Sequence, residues 1–587
     1  MRMKARQVRW IQRIGYSIAL LFLLTGIAYA TWYLAHDYVT LRDAYLTQAP
    51  FYRSTHWATD FFTPQTKVAG DRYAALGILL ALLAGSYLLY SWRQTERHPA
   101  PSVRQHISRR DLLALATLSL LQLSLWAYAN YLLPPAYDEV FSAMHAAGAG
   151  PFRALTYYML PNNHVSFNVL NGTLFGWWTD DLVLTGRLIS LAAYLALGAL
   201  QYCWLRTLLH DRFAAFALVV LVAVLLPVWG FAAQARGYML LLLFSWGAFV
   251  AVWRYASGRP DSPDSYRGGR MQWLLSGCCL LAYATVPVFL YLHLALLGWI
   301  SLGWLRARRV DWSLIASQLV AGVGIFLFYL PAISFSGLGA ITSNRYVAGG
   351  QQGVGEFAEK FLPTLPDYVN YLALDVAAGV PWLLPLLALL PLTFCWARNR
   401  AFRRLATFYV LLLSITLATV LLMRAVPFHR TLLFQLQFVG LFIACLPLAG
   451  RVFTSTGGSA SMQQRPLRWR KGWLRGVAVG WLLLAGGLVW VTPEKFSLHL
   501  YYYDIVPTYR SVRGLVEQVP AGARVAGSDE AFYPLYMLRR ERHSLTSMPV
   551  ADYYVKRPGE ALPEGGWNLV GQNAEYELYI LYIRRGE

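Results

Sequence analysis

The sequence predicts a polytopic α-helical membrane protein of about thirteen transmembrane helices with a small α/β domain at its C-terminal end. Three observations predict it. Of 587 residues, 57% are hydrophobic and only 14% are charged, with a mean hydropathy of +0.40; soluble domains carry about a quarter charged residues. Apolar runs of about 18–22 residues recur, each long enough to cross a hydrocarbon core of about 30 Å as a helix. After residue 492 these runs stop, and shorter, alternating patterns replace them.

The runs fall near 14–34, 73–92, 111–133, 184–205, 213–233, 237–253, 271–286, 287–305, 312–333, 380–397, 405–423, 430–450 and 473–492. Met271 to Leu305 is too long for one span, and Pro287 supplies the break, because proline removes a helix donor and clashes with the preceding turn. The first run follows a basic stretch, as a signal peptide would. It is too long for one and has no small-residue cleavage site after it, so a retained helix is expected.

A net charge of +21 in a soluble protein would point to nucleic acid. Here the basic residues sit in alternate loops: Arg2 to Arg13, Arg93 to Arg110, Arg306 to Arg309, Arg398 to Arg404 and Arg451 to Lys471. The intervening loops hold Asp37, Asp43, Asp60, Asp71, Asp138, Glu139, Asp180, Asp181, Glu356 and Glu359. This is a positive-inside pattern and excludes nucleic acid as the partner. It predicts an inner-membrane protein with a cytoplasmic N-terminus. An odd number of spans then puts Asp138, Glu139 and the tail after Val491 outside. The five cysteines (Cys203, Cys278, Cys279, Cys395, Cys445) lie in or beside spans, so neither a disulfide framework nor a zinc site is indicated.

Three parts are expected. Residues 1–110 form a hairpin with a polar outer loop. Residues 111–492 form the main bundle, with outer loops 134–182 and 334–379. Residues 493–587 form the extracytoplasmic α/β domain, with helices at 508–519 and 530–540 and strands at 523–526 and 576–583. In the first outer loop, 152–160 and 165–175 read as short interfacial helices. The second is glycine-rich around Asn344, Arg345 and Tyr346 and reads as a lid. The tail lacks GxGxxG and P-loop motifs, so nucleotide binding is unsupported.

Asp138 and Glu139 follow the third span directly. Ionised acids at a membrane face are costly and mark function. One can take a proton from an acceptor while the other orients it or shares a divalent cation; helix-start electrostatics is the plainer reading. Asn163 and His164, before an apolar helix, are candidates for helix capping or for binding phosphate. Asp180 and Asp181 read as an N-cap pair. Arg236 and Arg430 lie at the outer ends of spans, where arginine is less expected, and their planar donor forks suit a lipid phosphate. His429 is beside Arg430, and Arg187 lies about two turns into the fourth span. With Arg345 and Tyr346 these complete the candidate donor-binding set. Trp177 and Trp178 fit either an interfacial belt or a sugar wall.

These motifs resemble the polytopic glycosyltransferases of the GT-C fold that use polyprenyl-phosphate sugars. The likeness is to the branch with the protein O-mannosyltransferases, the lipid A aminoarabinose transferases and the lipopolysaccharide-core transferases of the bacterial cell envelope. It rests on Asp138–Glu139, Asn163–His164, Leu182–Arg187–Leu188, Ala235–Arg236 and His429–Arg430. It is best over residues 111–305. Val165 departs from the proline that often follows the family's histidine, and the hairpin before residue 110 is an addition. The resemblance implies a GT-C-like bundle and an inverting transfer at the outer, periplasmic face to an extracytoplasmic lipid, glycan or protein. Arginines would hold the donor phosphate, Asp138 would be the general base and Glu139 its partner. The prenyl chain would lie in a groove open sideways to membrane lipid.

Competing readings are a flippase or transporter, a scaffold subunit, and a polymerase or ligase for lipid-linked glycans. A transporter predicts charges inside several spans and internal symmetry. The sequence has few of the former and no visible repeat.

Overall fold

In a computed structural model, the described residues are 5–47, 56–97, 107–133, 135–159, 163–257 (without 178 and 180), 266–342, 353–376, 400–442 (without 425, 426, 428, 436 and 439), 465–499, 505–528, 531, 535, 544–545 and 551–581 (without 564). Among them, nine helices are long and apolar enough to cross a membrane. They are Arg13–Leu34, Pro64–Gln94, Arg109–Leu132, Leu182–Leu209, Tyr238–Ala256, Pro287–Ala307, Trp312–Ser336, Phe402–Met423 and Gly472–Trp490. The chain is a multi-pass helical membrane protein. The span expected at 380–397 lies outside the described residues, as does the end of the one expected at 430–450.

The Arg109–Leu132 helix shows how composition becomes placement. Asp111, Leu118, Gln122, Leu125 and Ala129 recur at helical spacing and are buried, while Leu112, Leu113, Leu120 and Leu123 face outward. Leucines exposed in rows along a helix are what a lipid-facing side requires. Pro287 acts as expected. One helix ends at Thr285, a 3₁₀ turn covers Pro287–Phe289, and the next helix runs Leu290–Ala307.

The run at 213–233 departs from the expected single span. A helix covers Arg212–Ala223, the chain turns, and a second short helix covers Leu226–Ala232 with a proline in its first turn. Twelve residues rise only about 18 Å, short of the bilayer core. The interrupted chain turns again before the helix opening at Tyr238, and that turn carries Arg236.

The expected second loop is also partly regular. The Trp312–Ser336 helix ends at Gly337, whose φ of +82° an L side chain rarely adopts, and Val354–Val376 is helical although Pro363 and Pro366 lie inside it. The glycine-rich stretch with Arg345 and Tyr346 lies outside the described residues.

Helices Ala5–Leu34 and Pro64–Arg97 pack on each other and on Trp312–Ser336. Tyr45 stacks on Trp57 with centroids 4.1 Å apart, its hydroxyl meets Thr156 Oγ1 at 3.0 Å, and the Arg153 guanidinium covers its ring at 4.1 Å. Tyr33 adds a hydrogen bond to the Ser334 carbonyl at 3.0 Å. The hairpin is thereby pinned to the loop that follows the third span and to the end of the Trp312–Ser336 helix.

The C-terminal domain follows the Arg465–His499 helix. Its helix Ile505–Val516 packs Val512, Leu515 and Val516 against Val525, Val555 and Leu578. Strands β1 (Arg524–Gly527), β2 (Ser544–Leu545), β3 (Tyr553–Lys556), β4 (Trp567–Gln572) and β5 (Glu577–Leu581) form one mixed sheet in the order β2-β1-β3-β5-β4. β1 runs parallel to β2 and β3, and β5 antiparallel to β3 and β4. Most of the helix expected at 530–540 lies outside the described residues.

Candidate active site

The third span ends at Leu132, and the short helix Tyr137–Ser142 begins five residues later. Its start is capped from within. Glu139 Oε2 accepts from the Ala136 backbone N–H at 2.6 Å, satisfying an amide that helix geometry leaves without a partner.

Glu139 is fully buried. Its Oε1 also accepts from the Ala235 N–H at 2.5 Å, and Arg187 grips it with Nε to Oε1 and Nη2 to Oε2, both at 3.0 Å. The remaining edge of Arg187 donates to Asn130 Oδ1 at 2.8 Å and to the Leu133 carbonyl at 3.1 Å. A planar fork on a carboxylate is the geometry in which arginine binds best. Glu139 and Arg187 therefore tie three chain segments together. Glu139, expected as a partner in the chemistry, and Arg187, expected as a phosphate ligand, are thus both buried and bonded to each other.

Asp138 is the residue the same turn leaves accessible. Its side chain is 29% exposed, and its Oδ2 lies 3.7 Å from Arg236 Nη2. Arg236 is buried; Nη1 donates to the Asp138 carbonyl at 3.1 Å and to Ser142 Oγ at 3.0 Å. Its Nη2 meets His164 Nε2 at 3.1 Å, and Tyr238 lies beneath the guanidinium.

The Gly237 N–H donates to His164 Nδ1 at 2.9 Å. Arg236 Nη2 is a donor as well, so a neutral His164 ring, which keeps one nitrogen protonated, accepts from one of these two groups and not from both. Gly237 must lack a side chain here, since a Cβ would meet His164 Nδ1 at 2.7 Å and Thr285 Cγ2 at 2.6 Å. Gly186 plays a similar part on the neighbouring helix, where a Cβ would meet Ala235 Cβ at 2.6 Å. Ser190 holds the same turn by donating to the Gln234 carbonyl at 2.6 Å. Burial pushes His145 down to about 4, so it is neutral near pH 7 and adds no charge to this region.

The structure thus gathers Asp138, Arg236 and His164. Asn163 is engaged elsewhere: its Nδ2 donates to the Ala154 and Tyr157 carbonyls at 2.9 and 2.7 Å, and its Oδ1 accepts from Asn168 at 2.8 Å. It ties the loop together. Asp181 caps the Leu182–Leu209 helix through the Val183 and Leu184 amides, as expected. Residues 429 and 430 lie in a 3₁₀ turn, His429–Leu432, and their side chains fall outside the described residues, as do Arg345 and Tyr346. Of the residues that sequence reading did not single out, Ser190 and Gly237 carry no signal in the sequence. Only Ser142 had one to offer, four residues after Asp138 and so on the same helix face.

A divalent cation does not fit this pair of acids. Both Glu139 oxygens are occupied by a guanidinium and by amides, and a second guanidinium stands beside Asp138. Among the described residues no group of three or more metal-ligating side chains occurs.

No family model matches the chain, and no curated protein matches it. Among solved structures it is similar to the crystal structure of ArnT from Cupriavidus metallidurans bound to undecaprenyl phosphate. The TM-score is 0.47 at 13% identity, over 79% of this chain and 97% of that one. The apo state of the same protein gives a TM-score of 0.46 over the same shares.

Proposed function

We propose that this chain is an integral-membrane glycosyltransferase that moves a sugar, with inversion, from a polyprenyl-phosphate donor to an extracytoplasmic acceptor. Asp138 is its general base. The observation that carries this reading is the contrast between adjacent acids: Glu139 is locked away, while Asp138 is accessible and held from behind by a buried arginine.

Asp138 takes the proton from an acceptor hydroxyl or amine as that atom bonds to the anomeric carbon. The carbon–oxygen bond to phosphate breaks, and polyprenyl phosphate leaves with the electron pair. Inversion needs nucleophile, carbon and leaving oxygen in line, which separates base from leaving group by roughly 6 Å or more. Arg236, at 3.7 Å, stands on the base's side and positions Asp138. The donor phosphate is assigned to Arg430 and Arg345, whose fixed charge suits an anion leaving in a low-dielectric site. The positive-inside pattern supports an extracytoplasmic site in the inner membrane. The motif resemblance agrees with this reading.

The test uses the purified chain with candidate polyprenyl-phosphate sugars and measures release of polyprenyl phosphate. Wild type releases it. Asp138→Asn, folded and equally abundant, is expected to fall by about 10²–10⁴-fold. Full release from Asp138→Asn would remove the base assignment. No release with any donor, together with movement of donor across vesicles, would favour a transporter.

A further inference from the structure

We propose that the end of the bundle opposite Asp138 holds a binding cleft for an anionic lipid headgroup, with Arg110, Arg206, Arg212 and Arg475 as its basic wall. This inference is independent of the glycosyltransferase reading.

The two ends are well separated. Arg110 lies in the first turn of the Arg109–Leu132 helix and Asp138 lies beyond its last, and 24 residues rise about 36 Å. At the first end the helices Arg109–Leu132, Leu182–Leu209, Arg212–Ala223 and Arg465–His499 enclose a cleft of about 940 Å³.

Its charge is built in by a buried acid. Asp111, 1% exposed, receives Arg206 Nη1 at 2.8 Å, Arg212 Nε at 2.9 Å and the Tyr202 hydroxyl at 3.1 Å. One carboxylate thus anchors two guanidiniums at the cleft. Asp211, the other acid present, caps the next helix through the Ala214 amide at 2.9 Å, with Arg475 Nε 4.0 Å away. Among the described residues, four arginines therefore face two carboxylates, an excess of two positive charges.

The polarity changes with depth. Arg110, Leu113 and Thr117 share one helix face, and Phe213 and Phe216 follow Arg212 on the facing helix. The basic mouth continues into an apolar wall that runs toward the membrane interior, which matches a phosphate head with a hydrocarbon chain. Basic residues that only set topology need nothing more than solvated loops. These instead line a concavity near the upper end of the usual range for ligand sites, roughly 300–1,000 Å³. A free phosphate would leave most of it empty.

The experiment titrates the full-length protein in a neutral detergent with dioleoyl phosphatidylglycerol, dioleoyl phosphatidylcholine or inorganic phosphate. Native mass spectrometry reads retained lipid, and thermal melting reads protection. Phosphatidylglycerol is expected to be retained and to raise the melting temperature, while the other two are without effect at equal concentration. The double variant Arg110→Gln, Arg475→Gln removes two exposed charges that do not hold Asp111. It is expected to weaken phosphatidylglycerol retention at least tenfold with the lipid-free melting temperature unchanged. Equal protection by phosphate would reassign the cleft to a free anion, and equal retention of phosphatidylcholine would remove the headgroup's role. Either result in the wild type overturns the proposal, as does undiminished binding by the variant.

Discussion

Arg187 closes a two-point ion pair on Glu139, with both contacts at 3.0 Å and both side chains withdrawn from solvent. The pair joins the fourth span to the turn that presents Asp138. Removing one partner of a buried pair strands the other charge and costs about 3–5 kcal/mol. Glu139→Gln is accordingly expected to lower the melting temperature sharply in detergent. Adding Arg187→Met should recover part of that loss. An unchanged melting temperature in Glu139→Gln would contradict the locking role.

Arg236 and Arg430 are expected to fail differently. Arg236→Lys keeps the charge but not the fork that reaches the Asp138 carbonyl and Ser142 together. Losing hydrogen bonds to a charged group, at about 1.5–3 kcal/mol, corresponds to about 10- to 100-fold in kcat, with the donor KM little altered. Arg430→Gln should mainly raise the donor KM. Steady-state kinetics on both variants separates the two roles, and a pure KM effect in Arg236→Lys would return that residue to the donor site.

Gly237→Ala tests the His164 contact. The added methyl group meets His164 and Thr285 well inside van der Waals distance, so the turn or the ring must move. Overpacking of this kind costs about 1–3 kcal/mol. Lower stability and slower single-turnover transfer are expected together. A variant as stable and as fast as wild type would show that the turn yields freely.

The C-terminal sheet is expected to lose stability in acid. Lys556 Nζ meets Glu577 at 2.5 Å across β3 and β5, and Arg524 pairs with Asp552 at 2.7 Å. The hydrogen bond from Lys556 holds Glu577 below its usual carboxylate range, and that from Arg524 does the same for Asp552. A depressed carboxylate contributes stability that is present above its unfolded value, near pH 4, and lost as pH falls through the folded value. Hydrogen-exchange protection over residues 505–581 of the intact chain, taken relative to the intrinsic exchange rate at each pH, should therefore fall below about pH 4. Glu577→Gln should flatten part of that dependence; an identical profile would exclude the pair as its source.

Much of the architecture was legible because its causes are local. Apolar runs of spanning length became helices, Pro287 divided a run too long for one span, and Asp181 capped the helix it precedes. The strand expected at 576–583 appears as Glu577–Leu581. The run at 213–233 misled because length and hydropathy cannot report a turn that packing makes tolerable. The break after Ala223 is stabilised by contacts distant in sequence, among them the Tyr194 hydroxyl on the Ala223 carbonyl at 2.8 Å.

The sequence by itself determined that this is a multi-pass membrane protein, where its acids and arginines fall along the chain, and that Asp138 and Glu139 stand together after the third span. Only the tertiary structure decided which of the two is available. Neighbours on a helix point about 100° apart, so one turn sends one carboxylate inward and leaves the other at the surface. What makes the inward position tolerable comes from far along the chain: Arg187, 48 residues away, and the Ala235 amide, 96 residues away. A buried carboxylate survives only where charge and donors meet it, and that meeting is made by packing rather than by adjacency.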